Sequence, residues 1–165
     1  MSYFSRFPVL VDYELGGSVY DVADITVRTG ISSASKNDPN AYIPYQIQEG
    51  ETALILADRI YGDPMLDWVI LIFNDIIDEC EGWPLSQQSL NEYVNSKYED
   101  PFQVHHYISA VSGATVEKDH PQYDRVPISN FQHEENLNDS KRNIKILIPE
   151  LVGEVVRQHH KLVSE

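Results

Sequence analysis

Apolar and polar positions change rhythm several times along the chain, and each rhythm predicts an element. At Tyr45-Gln46-Ile47-Gln48 they alternate, the period of a strand with one buried face. In Glu49-Gly50-Glu51-Thr52, Gly50 supplies a turn and Thr52 can accept the unbonded amide protons of a helix beginning at Ala53, with both glutamates near its positive end. From there the period is helical: Leu54, Ala57 and Tyr61 fall three and four apart, Leu56 and Ile60 widen the stripe, and Asp58 and Arg59 face water. Gly62 follows the last periodic residue, where a left-handed closure suits a residue without a Cβ. Asp63-Pro64 then fits the cap and first turn of a second helix. Its positions Met65, Trp68, Val69, Ile72 and Ile76 mark one apolar face, while Ile70, Leu71 and Phe73 make it apolar nearly all round, as in a helix covered on two sides or by a partner. Residues 69–73 also fit a buried strand, and the Asp-Pro start with the Asn74-Asp75 stop favours the helix.

On either side the signals are shorter. Residues 9–13 and 19–22 flank Gly16-Gly17-Ser18, a hairpin that must pack on something because two strands alone are marginal. Residues 25–28 read as a short helix or strand, and residues 32–40 as a loop. Ser86 caps a helix over residues 87–98 with Leu90, Tyr93, Val94 and Tyr98 as its stripe, and Asp100-Pro101 ends it. Residues 104–111 form a strand, Ser112-Gly113 a turn, and residues 115–117 the return. Residues 118–139 are polar with little apolar period and read as a long loop or extended arm. Ile144, Ile146 and Ile148 alternate as a strand, and Pro149-Glu150 opens a last helix with Leu151, Val152, Val155, Val156, His159, Leu162 and Val163 on one face. The class is α+β, divided into an N-terminal arm and hairpin (residues 1–44), a central module (45–85) and a C-terminal part of helix, hairpin, polar arm and strand-helix extension (86–165).

Charge narrows the partners. With 12 Lys and Arg against 26 Asp and Glu, the net charge of −14 lacks the clustered cations that nucleic acid or an anionic membrane requires. No run of apolar residues is long enough to span a bilayer, and Pro8, Asp12 and Glu14 interrupt any leader-like stretch. A chain of this length can bury roughly 70% of its unfolded surface. Cys80 is the single cysteine, so no intrachain disulfide forms; it reads as a structural thiol made in a reducing cytoplasm.

Reactive constellations are missing from the pattern. His105-His106 and His159-His160 are neighbours, which point apart on a strand or a helix, so neither pair chelates; His133 with Glu134 and Glu135 could hold a casual cation, but solvated or locally hydrogen-bonded side chains are the favoured reading. Cys80 sits between Glu79 and Glu81, whose charges oppose a thiolate. No nucleophile elbow or phosphate loop occurs, and the carboxylates at Asp75, Asp78, Glu79 and Glu81 are expected as solvated surface. The expectation is therefore no enzyme, no cofactor, no metal and no small-molecule substrate. Trp68 lies on the helix stripe, which favours core packing over stacking on a sugar. The opening Tyr3, Phe4, Arg6 and Phe7 form an aromatic cluster around one guanidinium, suited either to docking on a neighbour or to a strand packed on its own domain.

The sequence of strand, Glu-Gly-Glu-Thr turn, helix ending at Tyr61-Gly62 and second helix ending at Asn74 resembles a LysM module. That resemblance implies a small βαα(β) fold with Ile47, Leu54, Ala57, Tyr61, Trp68, Ile72 and Asn74 in its core, closed by a strand near Gly82-Trp83-Pro84-Leu85. Over a longer span the chain resembles the LysM-containing baseplate wedge subunit of T-even-type contractile-tailed phages. Tyr-Phe-Ser-Arg-Phe-Pro at residues 3–8, Ile47 to Thr52, Tyr61-Gly62-Asp63-Pro64, Trp68 to Leu71, Asn74 to Ile77, Trp83 to Ser86 and Arg142 to Glu150 carry the likeness. The resemblance implies a virion protein of the tail baseplate that joins neighbouring wedge proteins in a multi-subunit assembly. On that reading Tyr3, Phe4, Arg6, Phe7, Ile70, Leu71 and Phe73 are the expected protein interface. The alternative is a LysM protein that holds peptidoglycan or chitin.

Overall fold

A computed structural model describes residues 9–23, 29–119 and 121–163, so Tyr3, Phe4, Arg6, Phe7 and the short element expected at residues 25–28 lie outside the described residues. Helices and strands are mixed along the chain, and the residues gather into two compact units. The first takes residues 1–46, 51–82 and 144–165; the second takes residues 47–50 and 83–143.

In the first unit β1 (Val9–Leu15) and β2 (Ser18–Ala23) form the antiparallel hairpin, with Leu15 opposite Ser18. Gly16 and Gly17 both have positive φ, 62° and 82°, which a two-residue hairpin turn of this hand demands. A single helical turn, α1 (Ser33–Lys36), interrupts the expected loop because Ser32 accepts the Ser35 amide. Then come β3 (Tyr42–Gln46), α2 (Ala53–Tyr61), a 3-10 turn (Pro64–Leu66) and α3 (Asp67–Phe73). The ends follow the sequence signals. Thr52 Oγ1 accepts the Ile55 amide at 3.3 Å, Gly62 closes α2 with φ 71°, and Asp63 Oδ1 accepts the Met65 amide at 2.9 Å.

One stripe of α2 is corrected. Its buried side is Ala53, Leu56 and Ala57, and Leu54, expected in the core, is 51% exposed. Leu54 and Leu56 are two positions and thus about 200° apart on a helix, so burying Leu56 turns Leu54 outward. The segment 69–73 is helical, but it ends at Phe73, and Asp75 follows with φ 59°. α4 (Glu79–Gly82) is one turn long, and the exposed Cys80 on it is not a core thiol.

No strand forms at residues 82–85. The strand paired with β3 is β7 (Asn143–Leu147), about a hundred residues further along the chain, and Ile148 N–H donates to Ala41 O at 3.0 Å beyond its end. Local periodicity carries no information about which strand a strand pairs with, and Trp83-Pro84 lacks the alternation a ladder needs. α7 (Pro149–Val163) follows and buries Val152, His159, His160 and Val163, leaving Leu151 and Leu162 on the rim. Trp68, Val69, Phe73, Leu147 and Val152 make the core of this unit, with Tyr42, Tyr61, Leu66, Ile72, Val155 and Val156 packed around it.

In the second unit α5 (Gln87–Lys97), capped by Ser86, buries Leu90 and Val94 while Tyr93 is exposed. β4 (Val104–Ser109), β5 (Thr115–Val116) and β6 (Arg125–Ser129) form an antiparallel sheet in the order β5-β4-β6. The span expected to be a polar arm therefore holds a strand, and after it α6 (Asn130–Ser140), opened by a capping box between Ser129 and Gln132. No helix of the described residues is long and apolar enough to cross a membrane.

Candidate functional site

The first unit is tied together where α3 ends. Asn74 Nδ2 donates to Ile70 O and to Lys145 O, each at 2.8 Å, and Asn74 Oδ1 accepts the Lys145 amide at 2.8 Å. One side chain thus closes the helix, as the Asn74-Asp75 stop predicts, and also grips β7. Tyr61 Oη donates to Leu147 O at 3.1 Å, and burial pushes its phenol pKa well above the ordinary range. Lys145 lays its ammonium 4.6 Å from the Tyr42 ring centroid and donates to Lys36 O at 2.9 Å. At the other end of β3, Glu51 binds both Tyr45 Oη, at 2.8 and 3.0 Å, and Arg59, at 2.6 Å.

The residues of the expected interface divide. Ile70 has no exposed surface and Phe73 is 2% exposed, so both serve the chain's own interior; Leu71 is half-buried. The nearly all-round apolarity of α3 is accounted for by its neighbours α2, α7 and Tyr42, whose ring lies 6.3 Å from Phe73. Of the expected core, Ile47, Ala57 and Trp68 are buried, Tyr61, Ile72 and Asn74 partly so. The indole of Trp68 is 7% exposed and lies 4.6 Å from the His159 ring, and Trp83 is 6% exposed, so neither offers an open face to a sugar ring. His159 Nδ1 is held by Thr29 Oγ1 at 2.6 Å.

The second unit is fastened by a stripe that sequence reasoning missed. Asn130, Glu134 and Asn138 fall four apart on α6 and are all buried. Asn130 Nδ2 donates to Asp100 O at 2.9 Å; Asn138 takes the Leu85 amide at 2.7 Å and returns a bond to Leu85 O at 3.0 Å. Glu134 Oε1 receives Lys97 Nζ at 2.8 Å and Tyr98 Oη at 2.6 Å. Partial burial disfavours the Glu134 carboxylate, yet the Lys97 and Tyr98 bonds outweigh it and hold its pKa below the usual range. A polar helix with polar residues inward leaves no hydrophobic period; the legible signals were the four-residue spacing itself and the Ser129-x-x-Gln132 box. Nearby, Arg142 binds Glu49 at 3.0 Å, and the same glutamate accepts the Gln87 amide at 2.7 Å. Those bonds, the Gln87 amide first, depress the Glu49 pKa.

Exposed apolar surface remains in each unit. Leu54 and Ile55 stand side by side on α2 at 51% and 47% exposure. On the β4–β5 connection, Val111 donates its amide to Asp124 at 3.0 Å, and both Val111 and the adjoining Tyr123 are almost fully exposed. The histidines expected to point apart, His105 and His106, instead converge with His133.

Residues 38–114, which hold β3 through β4, match the sequence family of base plate wedge protein 53. A stretch of 45 residues is 42% identical to the baseplate wedge protein gp53 of Enterobacteria phage T4. It covers 27% of this chain and 23% of that protein, so the chain spans about a quarter of the length of the curated relative it matches. The likeness read from the motifs is that of a phage baseplate wedge protein, and these matches bear it out.

Proposed function

We propose that this chain, similar in its central residues to base plate wedge protein 53, is a structural subunit of a phage tail baseplate that joins neighbouring wedge proteins. The observation that carries the reading is the family match over residues 38–114, which takes in the α2–α3 pair and its caps. On this reading β3, α2, α3 and β7 form the LysM-like module, with β7 in the place expected of residues 82–85. The burial of the Trp68 indole, which leaves no open ring face for a sugar, supports a module that grips proteins rather than glycans. The surfaces offered to wedge partners are the Leu54-Ile55 flank, the Val111-Tyr123 pair and the arm holding Tyr3, Phe4, Arg6 and Phe7, with Leu71 contributing its half-exposed side chain. No step of catalysis is assigned.

Mass spectrometry of purified particles should find the chain in stoichiometric amounts, and its absence from them removes the reading. Deleting residues 1–8 should leave folding intact and abolish capture by wedge proteins; undiminished capture refutes the arm's part. Cosedimentation with purified peptidoglycan or chitin would favour the glycan-binding alternative instead.

A further inference from the structure

In a regular strand successive side chains point to opposite faces, so adjacent histidines cannot share a ligand. β4 is not regular at this place. Val104 lies opposite Ser129, but His106 lies opposite Ile128, so two steps on β4 match one on β6 and His105 is the extra residue. Such a bulge re-aims side chains that the pleat would separate. Here it brings His105 Nδ1 and His106 Nδ1 to 2.8 Å, with the rings edge to face at 5.1 Å.

The third ring arrives because α6 starts directly at the end of β6. His133, one turn into α6, stacks on His105 at 3.9 Å with 10° between the planes and stands edge-on to His106 at 5.5 Å. One ring nitrogen from each histidine lies within 4.8 Å of the other two. All three residues belong to the second unit. His105 is exposed and the other two are partly buried, so the group opens to water on one side. Its acidic neighbour Glu134 is already bound by Lys97 and Tyr98 and leaves the imidazoles as the donor set.

We propose that His105, His106 and His133 bind one divalent first-row transition ion of the Zn2+, Ni2+ or Co2+ kind, clipping β4 to α6 with a water or partner group in the fourth position. Imidazole nitrogen is the donor these borderline ions prefer, and three nitrogens with an open position suit tetrahedral coordination. Tetrahedral bonds of about 2.0–2.1 Å set the nitrogens roughly 3.3–3.4 Å apart, so the His105–His106 pair opens slightly and the His133 ring turns out of its stack. Each ligand must be neutral to bind. His133 is biased that way, its pKa lowered chiefly by partial burial. Without metal, the close nitrogens form an ordinary imidazole hydrogen bond, and the test must separate the two.

The full chain, stripped with chelator, is titrated with Co2+ while the visible bands of tetrahedral cobalt are followed, then with Zn2+ as competitor. The expected result is one ion per chain, cobalt bands abolished by Zn2+, and affinity reduced tenfold or more in His133→Ala and in His105→Ala. Zn2+ should raise the melting temperature of the unsubstituted chain and leave that of either variant unmoved. His105 is exposed, so His105→Ala keeps the test sound where His133→Ala fails to fold. No stoichiometric uptake, or uptake that both variants retain, overturns the proposal and leaves the hydrogen-bonded imidazoles as the whole account.

Discussion

Replacing Asn74 by alanine should lower the unfolding free energy by about 2–4 kcal/mol, since three hydrogen bonds vanish and each contributes roughly 0.5–1.5 kcal/mol net. The bonds are short, 2.8 Å each, and they join groups far apart in the chain, Ile70 and Lys145. Truncation also strips the Lys145 amide and carbonyl of these partners, and a partly enclosed backbone group left unbonded is costlier than a bond is worth. Urea melts at neutral pH are the assay, followed through Trp68, which sits on the same helix and in the same core. A lower midpoint with an unchanged slope identifies lost stability rather than a changed denatured state. Asn74→Asp sharpens the test. It keeps an acceptor for the Lys145 amide but places carboxylate oxygens against two carbonyls, so it should destabilise at least as much as alanine and more as pH rises through the carboxyl's titration. A loss below about 0.5 kcal/mol for alanine, or an aspartate variant as stable as the original, would refute the latch.

Trp68→Ala should cost about 3–5 kcal/mol, because a buried indole at the centre of a cluster leaves a cavity; a melt showing under about 1 kcal/mol would count against that core. Gly82→Ala should destabilise by about 1–3 kcal/mol, since a Cβ there would meet Ile76 Cγ2 at 2.6 Å and the branched side chain must shift; a neutral result in the same melts would show that it moves freely. Glu134→Gln should cost about 1–2 kcal/mol at neutral pH by discharging the acceptor of Lys97. Because the folded Glu134 pKa is depressed, its stabilisation is fully present above the ordinary carboxyl range and lost as pH falls through the folded value. The glutamine variant should therefore lose less stability than the original on acidification, and parallel pH profiles would sink the assignment.

Where structure is decided by a few neighbouring residues, the chain announced it. Thr52, Gly62, Asp63-Pro64 and Ser86 each mark a helix end at which the structure has one, and the paired glycines mark the hairpin. What stayed hidden depends on distance or on polarity. β3 pairs with β7 across most of the sequence, and no local pattern encodes that choice. α6 faces inward with Asn130, Glu134 and Asn138, so a search for apolar period passes over it. The histidine group rests on a single register shift in β4, invisible in a row of letters, and on a helix whose polar sequence resembles an extended arm. Leu54 shows the converse error: an apolar residue at correct helical spacing that lies on the flank of its stripe.

Because the strand that completes the first unit lies so late in the chain, a ribosome making this protein emits β3, α2 and α3 well before β7 and α7 can cover their remaining face. Leu147 and Val152, two of the core residues around Trp68, emerge after the entire second unit has been synthesised. At translation rates of roughly 5–20 residues per second, the apolar helix waits several seconds for that cover. A chain ended just short of residue 143 should therefore leave the core around Trp68 without Leu147 and Val152, and aggregate where the full chain stays dispersed.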